Sequence, residues 1–124
     1  MSSYVGIVLI SHSPKIAEGL KDLIRQVMTD VPIETAGGTD DGEIGTSIEK
    51  ITEAIAEADK GEGVLLFYDI GSAKMNAEMA IEMNETEQAL LIEGPLVEGA
   101  YVAAVESGMG KSLQEVHDAV KKAF

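Results

Sequence analysis

Two textures alternate along the chain. Short apolar runs occupy residues 4–10, 32–36, 63–68 and 89–92, and between them lie longer segments with apolar residues three or four apart. The runs predict strands and the periodic segments predict helices. The first periodic segment places Ile16, Leu20, Leu23, Ile24 and Val27 on one face, the second Ile48, Ile51 and Ile55, and the third Met75, Met79 and Met83. A fourth uses Val97, Ala100, Tyr101 and Ala104, and the last Leu113, Val116 and Val120. Thr46-Ser-Ile-Glu49 and Ser112-Leu-Gln-Glu115 have the form of capping boxes, and Pro14 suits the first position of a helix. The order is β-α-β-α-β-α-β-α-α, without repeat, linker or low-complexity segment.

Strands that are apolar throughout and separated by helices predict a parallel sheet covered on both faces. Right-handed crossovers then favour a three-layer α/β fold, doubly wound, with a mostly parallel sheet of four or more strands in the order 2-1-3-4. Residues 1–124 read as a single domain, a length that suits one hydrophobic core. In such sheets chemistry gathers at the carboxyl ends of the strands where the winding reverses, here between strands 1 and 3.

Strand 1 runs into Ser11-His12-Ser13-Pro14, and strand 3 into Tyr68-Asp69-Ile70-Gly71-Ser72. The expected topology therefore puts His12 and Asp69 in one crevice. A carboxylate accepting from one imidazole nitrogen selects the tautomer and leaves the other nitrogen free to attack. The helix start after His12 favours an anion, and Ser13, Ser72 and the amides around Gly71 add donors. Such a histidine suits a nucleophile that carries a phosphoryl group. The plainer alternative is a turn histidine beside a helix-capping aspartate.

The loop after strand 2, GGTDDGEIGTS at residues 37–47, borders the same crevice, and its glycines, Gly38 among them, permit close backbone approach. It reads as a flexible active-site loop. Its Asp40, Asp41 and Glu43 match no complete calcium-loop spacing, so no metal is expected. Three further signals are structural. GMGKS at residues 108–112 has Val105 where a P-loop needs its first glycine, and it follows a helix rather than a strand. His117 is expected to be a partly buried packing residue. The methionine stripe reads as core or interface packing, with Glu78, Glu82 and Glu85 forming a solvated or docking face.

Charge and composition narrow the partners. A formal charge of −13 argues against nucleic acid or an anionic membrane surface. The absence of cysteine removes disulfides and thiolate chemistry. No apolar run approaches membrane-spanning length and the N-terminus carries no secretory pattern, so the expected compartment is the cytoplasm.

Taken together, ISHSPKIAEGL, GGTDDGEIGTS, YDIGSA and EGPLVEGAY resemble, in order and over essentially the whole chain, a known family. It is the phosphotransfer subunits (DhaM) of dihydroxyacetone kinases that depend on the phosphoenolpyruvate:sugar phosphotransferase system, themselves similar to mannose-type enzyme IIA domains. The resemblance implies that His12 is the phosphorylated histidine, that Asp69 orients it, and that Gly71 and Ser72 neighbour the phosphoryl site. It implies HPr as donor and ADP on the nucleotide-binding kinase subunit as acceptor. It also implies a homodimer with no cofactor of its own. The longest relatives append HPr-like and enzyme I-like domains; a chain ending at Phe124 is expected to need a separate HPr. The alternatives are a mannose-type IIA component serving a sugar-specific IIB domain, and a non-catalytic flavodoxin-like binding module.

Overall fold

The computed structural model describes residues 3–84 and 88–124. Its elements, in chain order, are β1 (Gly6–Ser11), α1 (Pro14–Arg25), β2 (Ile33–Gly37), α2 (Ile48–Ala58), β3 (Val64–Tyr68), α3 (Ala73–Met83), β4 (Ala89–Leu91), α4 (Leu96–Gly108) and α5 (Leu113–Ala123). The strands form one four-stranded sheet in the order β2-β1-β3-β4, and every neighbouring pair is parallel. That is the expected winding.

Successive strand residues point to opposite faces, and each face has its own core. Val5, Ile7, Leu9, Ile33, Leu65, Phe67 and Ile92 pack with residues of α1, α4 and α5. Val8, Ile10, Ala36, Val64, Leu66 and Ala89 pack with residues of α2 and α3. All six residues of β1 are buried, as befits a strand with neighbours on both edges and helices on both faces. The buried Ser107 on α4 satisfies its hydroxyl by donating to the Val5 carbonyl at 2.7 Å, which stitches α4 to the start of β1.

The helices turn differently from the reading of their large apolar residues. α1 buries Ala17, Leu20 and Ile24, while Ile16, Leu23 and Val27 are exposed. α3 buries Ala73, Ala77 and Ala80 and leaves Met75, Met79 and Met83 exposed, so the methionines are not core. On α4, Gly99, Ala100, Ala103, Ala104 and Ser107 face inward, and Val97 and Tyr101 are exposed. The physical reason is distance. Small side chains let a helix axis settle close to the sheet, so the alanine and glycine stripes face the strands and larger residues are displaced to the flanks.

The helix starts also differ in one place. Ser47, not Thr46, caps α2, accepting the Lys50 N–H, and Thr46 instead accepts from Asn76 of α3 at 2.6 Å. At α5 the capping box of Ser112 and Glu115 forms as expected. His117 is partly buried, with Nδ1 3.2 Å from Asp118. The 108–112 segment is a helix end, a Gly110 turn with φ 85°, and the Ser112 cap. Glu78 and Glu82 are exposed, and Glu85 lies outside the described residues.

Candidate active site

Parallel pairing of β1 with β3 in the register Ile10 to Tyr68 brings the next residues of each strand, Ser11-His12 and Asp69, side by side at the carboxyl edge of the sheet. Each chain then turns into a helix. Ser13 caps α1, accepting the Ile16 N–H at 3.4 Å, and Pro14 occupies the first helical position. Ile70 and Gly71 form the turn that leads through Ser72 into α3, with the Ile70 carbonyl accepting Ala73 N–H and the Gly71 carbonyl accepting Lys74 N–H.

One imidazole is held at both ends. His12 Nδ1 lies 3.0 Å from Asp69 Oδ1, and His12 Nε2 lies 2.8 Å from Ser72 Oγ. A carboxylate only accepts, so Nδ1 carries the proton of the neutral ring. Nε2 then holds the lone pair and accepts from the Ser72 hydroxyl. The side chains of His12 and Asp69 are 20% and 16% exposed, so the pair is shielded yet reachable.

Asp69 receives four hydrogen bonds. Oδ1 takes the imidazole and the Ile70 N–H at 2.7 Å, and Oδ2 takes the Ser11 hydroxyl at 2.8 Å and the His12 main-chain N–H at 3.0 Å. Burial pushes the Asp69 carboxyl up, but these donors outweigh it and hold the carboxyl below its ordinary value. It therefore remains an anion beside the ring, ready to stabilise positive charge there.

The 37–47 loop closes over the corner. The Gly38 N–H donates to the Ser11 carbonyl at 3.0 Å, and the Gly45 N–H donates to the His12 carbonyl at 2.8 Å. Gly38 has φ 76°, and a Cβ there would stand 2.5 Å from Pro14 Cγ and 2.7 Å from the Glu43 carbonyl oxygen. Only glycine gives the loop this approach. Loop and α1 leave between them a cleft of about 440 Å³ lined by Ser13, Pro14, Lys15, Gly42, Glu43 and Ile44. The Thr46–Asn76 bond ties the far end of the loop to α3.

Thus His12, Asp69 and Ser72 meet directly. Ser13 contributes as a helix cap, and its N–H donates to Ser11 Oγ at 3.0 Å. Gly38 acts through packing against Pro14, and Gly71 through its place in the turn; a Cβ on Gly71 would touch nothing within 4 Å. Two contributors escaped the sequence reading, Ser11 and Gly45, while the Ile70 amide, one of those expected around Gly71, donates to Asp69. Only the strand register could have pointed to Ser11, and no local pattern marks Gly45. On the rim Lys74 pairs with Glu93 at 2.5 Å, which raises the lysine and lowers the glutamate from their ordinary values. Glu93 is exposed and Lys74 half-buried at the rim, so the solvated pair adds little stability. Among the described residues no group of three or more His, Cys, Asp or Glu side chains is placed to hold a metal ion.

Comparison with known proteins gives the family. The EIIA-man family, described as the PTS system fructose IIA component, matches residues 6–117. The phosphoryl donor subunit DhaM of PEP-dependent dihydroxyacetone kinase 1 from Listeria innocua is 46% identical over 109 residues, covering 88% of this chain and 86% of that protein. The chain belongs to the EIIA-man family and, within it, to the DhaM subunits. A second DhaM, from Lactococcus lactis, is 40% identical over 117 residues and 94% of both chains. The Escherichia coli DhaM is 39% identical over 119 residues, and the match takes in only 25% of that longer protein. Among solved structures, EF1359, a protein of unknown function, superimposes with a TM-score of 0.86 at 34% identity, covering 98% of this chain and 95% of its own. A sigma-54 interaction domain protein from Enterococcus faecalis shares the fold, with a TM-score of 0.76 at 14% identity. Among the described residues no helix is long and apolar enough to cross a membrane.

Proposed function

We propose that this DhaM chain carries a phosphoryl group on Nε2 of His12, taking it from phospho-HPr and passing it to ADP on the nucleotide-binding subunit of a dihydroxyacetone kinase. The observation that carries the reading is the two-ended holding of one imidazole, with Nδ1 on Asp69 and Nε2 on Ser72 at the open side. Supporting it are the names of the relatives, which are phosphoryl donor subunits of PEP-dependent dihydroxyacetone kinases.

In the first transfer the Ser72 hydroxyl turns away and the Nε2 lone pair attacks phosphorus. The donor's P–N bond breaks as the new one forms, and the electron pair returns to the donor ring. His12 becomes a phosphoimidazolium whose Nδ1 proton stays on the ring, and the Asp69 anion balances the added positive charge. Ser72, no longer bonded to Nε2, is placed to donate to a phosphoryl oxygen. In the second transfer a terminal phosphate oxygen of ADP attacks, the Nε2–P bond breaks, and neutral His12 and ATP result. Phosphoryl transfer demands mainly positioning and charge stabilisation, which this small set of groups supplies. The chain needs no cofactor of its own in this scheme and works as a cytoplasmic homodimer; nucleotide belongs to the acceptor.

The test is intact mass after incubation with phosphoenolpyruvate, enzyme I and HPr. One acid-labile phosphoryl on the wild type and none on His12→Ala is the expected result. No adduct on the wild type, with HPr itself phosphorylated, would overturn it. Adding ADP-loaded kinase subunits or a sugar-specific IIB domain then identifies the acceptor, and the second arm matters because the family's description names a sugar IIA component.

A further inference from the structure

We infer that Ser11 is a positioning residue of this site, its buried hydroxyl setting the plane of the Asp69 carboxylate and through it the tautomer of His12. The inference rests on the reading of His12 as the phosphoryl carrier.

Ser11 is the last residue of β1 and is fully buried. Among the described residues, buried polar side chains are otherwise represented by Ser107, whose hydroxyl bonds a main-chain carbonyl far from the site. Ser11 Oγ accepts the Ser13 N–H at 3.0 Å and stands 2.8 Å from Asp69 Oδ2. A hydroxyl has one proton, and the ionised carboxylate offers none in return. The Ser11 proton is therefore committed to Oδ2, and the Ser13 amide holds the hydroxyl in that orientation.

An aspartate carboxyl has a broad, nearly free terminal torsion, so its own rotamer does not fix its plane. Donors do. Two of them meet at Oδ2, from Ser11 and from the His12 main chain, and this turns Oδ1 toward His12 Nδ1 and the Ile70 amide. Without the Ser11 hydroxyl, Oδ2 keeps only the His12 N–H and Oδ1 only the Ile70 N–H beside the ring, two main-chain donors that leave the carboxylate freer to rock. The Nδ1 proton then loses a fixed acceptor, and part of the neutral imidazole carries its proton on Nε2. That tautomer has its lone pair on Nδ1 and none on Nε2, the nitrogen that must attack. Ser11 itself lies beneath the surface and cannot touch a docked protein, so its removal acts on the chemical step and not on partner binding.

The experiment compares the full chain with Ser11→Ala and Ser11→Thr, each checked for folding by its melting curve. Steady-state phosphorylation by phospho-HPr is measured beside the nitrogen chemical shifts of the His12 ring. Expected for Ser11→Ala is a kcat lower by roughly ten- to a hundred-fold, the scale of one lost hydrogen bond to a charged group, at unchanged KM. Its ring shifts should report mixed tautomers where the wild type shows Nδ1–H alone, and Ser11→Thr should recover both readouts. A folded Ser11→Ala chain with wild-type kcat and a single tautomer overturns the inference, as does a folded Ser11→Thr chain no better than alanine. If alanine prevents folding, Ser11→Cys, of similar size and a poorer donor, takes its place under the same criteria. Failure of the carrier reading looks different: the wild type then takes no phosphoryl, while the ring shifts still decide whether Ser11 sets the tautomer.

Discussion

Asp69 holds His12 from both of its oxygens: Oδ1 stands 3.0 Å from the ring Nδ1, and Oδ2 accepts the main-chain N–H of the same residue at 3.0 Å. Ring orientation and backbone position thus depend on one carboxylate. The carboxylate in turn comes from a different strand, so the pair is only as well placed as the β1–β3 register.

Asp69→Asn separates shape from charge. The amide has one acceptor oxygen, and the Ser11 hydroxyl and His12 N–H claim it at the Oδ2 position. Its NH2 then faces Nδ1, which drives the ring proton to Nε2. Phosphoryl acceptance from phospho-HPr should fall on the order of 10²–10⁴-fold with the fold intact, as for loss of an orienting carboxylate elsewhere. Rapid-quench rates of His12 phosphorylation check this, and a loss under ten-fold contradicts it.

Ser72→Ala should leave the chain folded, because Ser72 makes no side-chain cap bond to α3. It removes the donor that waits at Nε2 for a phosphoryl oxygen. Transfer should slow by roughly ten-fold and the phosphohistidine should hydrolyse faster, in keeping with one hydrogen bond to a charged group. The half-life of isolated phosphoprotein at neutral pH measures the second effect directly.

The Asp69 carboxyl sets a pH dependence of stability. Its pKa in the folded chain lies below the ordinary value of 3.8, so the unfolded chain binds the proton more readily. The stabilisation is complete above the unfolded-state value and is lost as pH falls through the folded one. Urea midpoints measured from pH 6 downward should therefore converge for the wild type and Asp69→Asn once the medium is more acidic than the ordinary aspartate range. Midpoints that stay parallel throughout would contradict the linkage.

Two glycines of the site should respond oppositely to alanine. Gly38→Ala places a Cβ against Pro14 and the Glu43 carbonyl at a positive φ. It should cost about 1–3 kcal/mol and slow transfer by displacing the loop that binds the Ser11 and His12 carbonyls. Gly71→Ala meets open space at an ordinary φ and should keep full stability. If docked HPr lies close over this turn, the added methyl raises KM and leaves kcat unchanged. Thermal melts and transfer kinetics on both variants decide the matter.

Much of this architecture is local information. The four apolar runs, the Ser13-Pro14 and Ser112–Glu115 helix starts and the alternation of strands with helices are written in consecutive residues, and parallel crossovers of one hand leave few sheet orders to choose from. That is why His12 and Asp69 could be placed at one crevice from the sequence alone. The helix faces could not be so read. Periodicity weights large side chains: it put Ile16 and Leu23 on the packed face of the first helix and left the methionines as core or interface; packing against the sheet instead rewarded Ala17, Ala73, Ala77 and Ala80, whose small size lets the layers approach. The supporting groups of the site were equally hidden. Ser11 looks like one more hydroxyl in a turn until the β1–β3 register sets it beside Asp69, and the hold of Gly45 on the His12 carbonyl exists only once the loop has closed. Sequence by itself determined which histidine stands at the end of the first strand and which aspartate shares its crevice. Tertiary structure decided which imidazole nitrogen faces outward, because that depends on donors converging from separate strands on a single carboxylate.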